Sequence, residues 1–354
     1  MSNIKVAVWG FGAMGSGITR TLLSKEGVDI VGVCDNHPDR MGKSIYDVLE
    51  LDPAGREDVI VTDDINNIAI TGKCDICVII TDSFVSKIFD KVMLMLNKKV
   101  NVITIAEEMA YPIAKHPELS KKMDQAAKEN GVSVLGTGIN PGLVMDLLAI
   151  CLSGCMSDVE SVTCRRINSL SPFGKAVMEE QGVGVTAKEF EDGIKDGSIA
   201  GHVGFAESVG MISDALCLGV DKFEQSMEPI ITDVDRKSPY GEAKAGNVAG
   251  VDMKGAGYRG DQLIITMEHP QQIEPEDVGV MTGDFIELKG TQTVTLNIQP
   301  EINGGLGTIA MCVNCIPHVI NARPGLRTMI DIPVPHAIMG DFSQLIDPDK
   351  KLVK

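Results

Sequence analysis

Hydrophobic and polar positions follow two different rhythms along the first 150 residues of the chain. Apolar runs at 4–9, 29–35, 58–62, 75–81, 100–105 and 132–137 predict strands. Between them apolar positions recur at spacings of three and four, as in Val85, Ile88, Phe89, Val92 and Leu96, which marks one helical face. Alternating strand and helix patterns predict an α/β fold with a doubly wound parallel sheet. From about residue 155 the texture changes. Strands are expected at 157–168, 262–268, 284–289 and 291–299, separated by turn signals and by helical stretches at 186–196 and 208–218. This pattern predicts a second, α+β domain with a largely antiparallel sheet. The glycine-rich stretch 238–260 reads as a mobile surface loop near the cleft. After Gly304 and Gly305 a helix at 306–321 is expected to return toward the first domain, ahead of a charged, frayed tail at 347–354. The domain boundaries read as 1–150, 151–305 and 306–354.

The first strand runs straight into Gly10-Phe11-Gly12-Ala13-Met14-Gly15, and a helical pattern follows. That context makes the GxGxxG element a dinucleotide-binding fingerprint. Gly10 allows the tight turn, Gly12 lets the backbone approach a pyrophosphate, and Gly15 lets the helix pack on the sheet. Ala13 and Met14 open the helix whose N-terminus faces the phosphates. Asp35 closes the second strand twenty positions after Gly15, where a carboxylate accepts ribose hydroxyls and disfavours a 2'-phosphate. Arg40 follows in the same loop as a candidate partner for that phosphate, or as a solvated cation. Both NAD and NADP therefore remain open as cofactors.

At 354 residues the chain is long enough for two cores. Its 32 basic and 49 acidic residues give a net charge of −17, which argues against nucleic acid and anionic membranes as partners. A negative field suits a small cationic substrate. The opening residues carry no leader pattern, and an unexported cytoplasmic protein is expected. Nine cysteines fit a reducing compartment. Of the two CxxC pairs, Cys74 and Cys77 should point to opposite faces of a strand, and Cys312 and Cys315 lie in an apolar helix pattern; no metal is expected at either.

Chemistry in a parallel sheet gathers beyond the carboxyl ends of its strands. The fourth strand ends at Thr81-Asp82-Ser83, with Ser83 a cofactor contact or a helix cap. The fifth leads into Glu107 and Glu108, which read as a general base or as helix-start acids. After the sixth comes Asn140, a candidate for the nicotinamide amide, with Pro141 opening a helix. In the second domain Arg166 and Asn168 share a strand face, Arg165 points the other way, and an Arg fork suits a carboxylate.

The elements GFGAMG, NVITIAEEMAYP, GTGINPG, CRRINS, GHVGFAES and ARPGLRTMIDIP together resemble the 2,4-diaminopentanoate dehydrogenases of clostridial ornithine fermentation. The chain is similar also to the native amine dehydrogenases, whose fold is akin to dihydrodipicolinate reductase. The His-His pair of those reductases is absent here. The resemblance implies oxidative deamination at C4 with NAD or NADP, in a cytoplasmic homodimer whose second domain binds substrate and dimerises. It assigns Glu107 as the base, with Glu108 the alternative, and Arg166, Asn168 and His202 to the amino-acid end of the substrate. A reductase of another small imine or carbonyl, and an NAD-sensing regulator, are the competing readings.

Overall fold

The computed structural model describes residues 2–68, 72–350 and 352. They form two compact units, Met1–Gly142 with Gly304–Lys354, and Leu143–Asn303. In chain order the first unit contributes β1 (Ile4–Trp9), α1 (Ala13–Leu23), β2 (Val28–Cys34), α2 (Ile45–Leu49), β3 (Ile76–Ile79), α3 (Val85–Asn97), β4 (Asn101–Thr104), α4 (Pro117–Asn130) and β5 (Ser133–Gly136). In the second unit α5 (Leu147–Ser153), β6 (Ser161–Ser169), α6 (Lys175–Glu180), α7 (Ala187–Asp196) and α8 (Phe205–Ala215) come first. They are followed by β7 (Lys222–Ile231), β8 (Arg236–Lys237), β9 (Glu242–Ala243), β10 (Val248–Arg259), β11 (Gln262–Gln272), β12 (Gly283–Lys289) and β13 (Thr293–Ile298). The first unit resumes with α9 (Gly304–Asn321) and β14 (Gly325–Arg327).

The first unit holds a six-stranded parallel sheet in the order β14-β5-β4-β3-β1-β2. The order reverses between β1 and β3, so a crevice opens there at the carboxyl ends of the strands. One expected strand is missing. Segment 58–62 makes only two isolated bridges, Ile60 antiparallel to Ser44 and Thr62 parallel to Cys34. With a different partner and sense at each residue no ladder can propagate. The sixth strand is β14, too short to show a period. Both CxxC pairs are buried. Asp347 and Lys350 of the tail hydrogen-bond to Asn321 and Ala322, so that part is fastened; residues 351, 353 and 354 lie outside the described residues.

The second unit is built on a mixed sheet in the order β13-β12-β6-β11-β10-β7, antiparallel at every step except β6 beside β11. The stretch 238–260 is not a loop over most of its length, because 248–259 is β10, paired on both sides. Its glycines serve packing: a Cβ at Gly255 would lie 2.8 Å from the Phe205 ring, and one at Gly257 2.8 Å from Val209. Small residues there let α8 approach the sheet. That helix starts three residues earlier than 208, at Phe205, while α7 begins where expected, behind a capping box of Thr186 and Glu189. Among the described residues no helix is long and apolar enough to cross a membrane.

Candidate active site

At the end of β1 the chain turns at Gly10 with φ of +104°, a value that favours glycine. A Cβ on Gly10 would lie 2.3 Å from the Ile80 carbonyl oxygen, and one on Gly15 would lie 1.9 Å from the Gly10 carbonyl oxygen. Close backbone packing therefore requires both glycines. Gly12 is different: a Cβ there would meet nothing within 4 Å. Open space over this backbone is what a pyrophosphate needs. Gly12 caps α1 without a side chain, and no acid occupies the first turn. The N–H groups of Ala13 and Met14, which no helix can satisfy internally, are thus available to an anion. The cradle fits a dinucleotide.

Asp35 ties this loop to the end of β2. Its Oδ2 accepts from the Phe11 N–H at 2.6 Å and its Oδ1 from the His37 N–H at 2.8 Å, with Arg40 Nη1 3.5 Å away. Burial pushes the carboxyl's pKa up, but the two N–H groups and Arg40 outweigh it, and the pKa lies below its ordinary value. A carboxylate has about four lone-pair sites, so capacity remains for ribose hydroxyls.

The next strand ends separate two adjacent acids. A short 3-10 turn, Glu107–Ala110, follows β4. Glu108 is buried, and its Oε2 accepts from the Val85 N–H at 2.8 Å and lies 3.0 Å from His116 Nε2; Lys115 Nζ is 3.5 Å from Oε1. Since Phe84 at the N-cap of α3 offers no side-chain acceptor, Glu108 caps that helix from a distance. Glu107 is half-buried and has no such anchors. Burial pushes its pKa up, Asp82 and Glu108 add to the rise, and a hydrogen bond with the Ser83 hydroxyl only partly opposes it. Ser83 thus meets Glu107, while Asp82 Oδ1 accepts the Phe84 N–H at 3.1 Å and Thr81 receives Lys91 at 2.6 Å. Beyond β5, Asn140 joins Pro141 by a cis peptide bond. Pro141 opens no helix: Gly142, at φ of +124°, leaves helical space, and α5 starts only at Leu147, capped by Asp146.

In the second unit Arg166 and Asn168 do share a buried sheet face, and Arg165 is exposed on the other, paired with Glu268 at 3.3 Å. The Arg166 fork is already engaged. Nη1 bonds Asp284 and Nη2 donates to the Ile302 carbonyl at 2.6 Å, while Asp284 Oδ2 accepts the Ile302 N–H at 2.8 Å. Asn168 and His202 come together through a residue the sequence reading missed, His269. Its Nε2 lies 2.8 Å from Asn168 Oδ1, and its ring stands edge-on to His202 with centroids 4.8 Å apart. Burial, reinforced by His202 and Arg166, drives the His269 pKa well below its ordinary value, so the ring is neutral and donates its Nε2 proton to Asn168. The signal was the parallel pairing of β11 with β6, which puts Glu268 opposite Arg165 and His269 next in line with Arg166. Sequence periodicity does not reveal strand partners.

Residues 4–137 match the oxidoreductase family, NAD-binding Rossmann fold, and residues 143–348 match the 2,4-diaminopentanoate dehydrogenase C-terminal domain. A 2,4-diaminopentanoate dehydrogenase from Acetoanaerobium sticklandii is 57% identical over 355 residues, covering 100% of both chains. The chain belongs to the 2,4-diaminopentanoate dehydrogenase family. It is a dehydrogenase with an NAD(P)-binding Rossmann domain. A solved amine dehydrogenase from Mycobacterium smegmatis superposes with a TM-score of 0.83 at 25% identity, over 96% of this chain and 98% of that one. A dihydrodipicolinate reductase from Paenisporosarcina shares the fold, with a TM-score of 0.50 at 14% identity over 92% and 97%.

Proposed function

We propose that this member of the 2,4-diaminopentanoate dehydrogenase family oxidatively deaminates 2,4-diaminopentanoate at C4, releasing 2-amino-4-oxopentanoate and ammonium. The observation that carries this reading is Glu107. It is a carboxyl of raised pKa at the carboxyl end of a parallel strand, in the same unit as the dinucleotide cradle and free of the anchoring bonds that hold Glu108.

The C4 ammonium must lose a proton before the nitrogen lone pair can assist departure of the C4 hydride. Bound NAD(P) supplies the hydride acceptor. Glu107 takes that first proton, which its raised pKa suits, since a general base works best with a pKa nearer the working pH. After passing that proton to solvent, the regenerated carboxylate stabilises the iminium electrostatically, takes a proton from the water that attacks C4, and returns it to the departing amine. The resulting carbinolamine collapses to the ketone, and the amine leaves as ammonium. Substrate, oxidised cofactor and water thus give ketone, ammonium, reduced cofactor and one proton. Ser83 holds the carboxylate in place. Glu108 positions α3 and the turn that carries Glu107.

At the other end of the substrate, Asn168 and His202 recognise the amino-acid group. Arg166 is a strut joining β6, Asp284 and Ile302 rather than a free fork. Asp35 favours NAD, and Arg40 beside it admits NADP. The same reading places the enzyme in amino-acid fermentation, in the cytoplasm, as a homodimer, the commonest symmetric assembly; its nine free cysteines suit a reducing compartment. The test is formation of reduced nicotinamide and of ammonium from 2,4-diaminopentanoate, set beside a panel of simple amines and amino acids with each cofactor. Turnover highest on 2,4-diaminopentanoate is expected. Turnover of another amine with none of this substrate would reassign the enzyme.

A further inference from the structure

The buried face of the second unit's sheet changes character along its length. At one end Val162 and Cys164 of β6, Ile265 and Met267 of β11, and Ile286 and Leu288 of β12 are apolar. At the other end the same alternation presents Arg166, Asn168, His269, Gln271 and Asp284, all at most 5% exposed. Burying so many polar groups is costly unless each finds a partner. Four of the five do so within the face: Arg166 with Asp284, and Asn168 with His269. Gln271 is the exception.

Gln271 sits beside Asn168 in the parallel register of β11 and β6. It is 3% exposed, and its Nε2 has no hydrogen-bond acceptor among the described residues. Its neighbour Gln272 differs, since that amide oxygen accepts from Arg236 at 2.6 Å. A buried donor left unmet destabilises a fold. Such a donor in a polar patch points to an acceptor supplied by a ligand.

We propose that Gln271 is a specificity-determining residue whose Nε2 donates to the α-carboxylate of the amino-acid substrate. The inference rests on the deamination reading above. It also explains how a carboxylate is recognised although the Arg166 fork is engaged by Asp284 and Ile302. The substrate's charge meets a neutral amide, and discrimination comes from a hydrogen bond that an amine without the carboxylate cannot replace.

The test compares 2,4-diaminopentanoate with butane-1,3-diamine, the same skeleton without its carboxylate. In Gln271→Met the ratio of kcat/KM between the two should fall by about tenfold or more, through KM for the carboxylated substrate, the scale of one bond to a charged group. Gln271→Glu should lower the ratio further, by placing like charges together. Inhibition by 2-aminopentanoate, which has the amino-acid end but no C4 amine, should weaken in both variants while NAD affinity stays close to wild type. Tm should not fall in Gln271→Met, which loses the unmet donor, whereas Gln271→Glu is compared per folded enzyme because it buries a charge. Equal losses on both substrates would make Gln271 structural and overturn the proposal. Tighter binding in Gln271→Glu would mean that the amide oxygen faces an ammonium, which also overturns it. Wild-type enzyme inactive on 2,4-diaminopentanoate would instead refute the deamination reading, whatever the variants do.

Discussion

The end of β4 in the first unit and the end of β6 in the second both crowd charged side chains, but they treat the charges in opposite ways. At β4 two adjacent glutamates receive unequal environments. Glu108 is tied to Val85, His116 and Lys115, whereas Glu107 has, among the described residues, only the Ser83 hydroxyl and its own backbone N–H as bonding partners and a pKa pushed upward by burial. At β6 the most obvious charge, Arg166, is paired out by Asp284 and Ile302, and the uncommitted polar atom belongs to a neutral residue, Gln271. A group's availability for chemistry follows from the bonds it has already made, not from its formal charge.

The largest effect that would test this contrast is on stability. Arg166→Met leaves Asp284 buried and uncompensated, and should destabilise the second unit by about 3–5 kcal/mol in denaturant unfolding. Adding Asp284→Leu should recover much of that loss, because an apolar pair removes the stranded charge. A single variant that unfolds like wild type would show that the pair is not holding Ile302 and β6 together.

Glu107→Gln comes next. It should lower kcat by roughly 10²-fold or more, the scale of a lost general base, with NAD affinity preserved. Stability should move the other way. Because the folded-state pKa of Glu107 is raised, the folded protein keeps that proton to higher pH than the unfolded chain does. Folding stability therefore declines as pH rises from the unfolded pKa to the folded one, and stays lowered above it. The glutamine removes this loss, so unfolding near neutral pH should be no easier than in wild type.

Glu108→Ala should produce the reverse pattern, a loss of about 1–2 kcal/mol from the uncapped α3 with a much smaller drop in kcat than Glu107→Gln. If Glu108→Ala is the worse enzyme after correction for folded fraction, the two roles are exchanged. Ser83→Ala is the finest probe. Removing a hydrogen bond that lowers the Glu107 pKa should shift the acidic limb of kcat/KM to higher pH, since the base form then appears later. An unmoved limb would detach Ser83 from Glu107.

Much of this was legible in the sequence, where local rules suffice. The glycine fingerprint, Asp35, most of the α/β alternation of the first unit and the helical stretch from Thr186 depend on short-range geometry and periodicity, and each appears where the residues placed it. The adjacent acids after β4 and the shared face of Arg166 and Asn168 were readable for the same reason. What tertiary structure decided was every long-range pairing. Glu108 meets Val85, Arg166 meets Asp284, and His269 meets Asn168 across separations of 23, 118 and 101 residues. Strand 248–259 was hidden because its glycines, which locally suggest a loop, are small to admit Phe205 and Val209. Segment 58–62 failed as a strand because each of its two bridges, to Ser44 and to Cys34, stays isolated and neither extends into a ladder. Hydrogen-bond partners and packing neighbours are chosen by the assembled sheet, and a residue's own spacing carries no record of them.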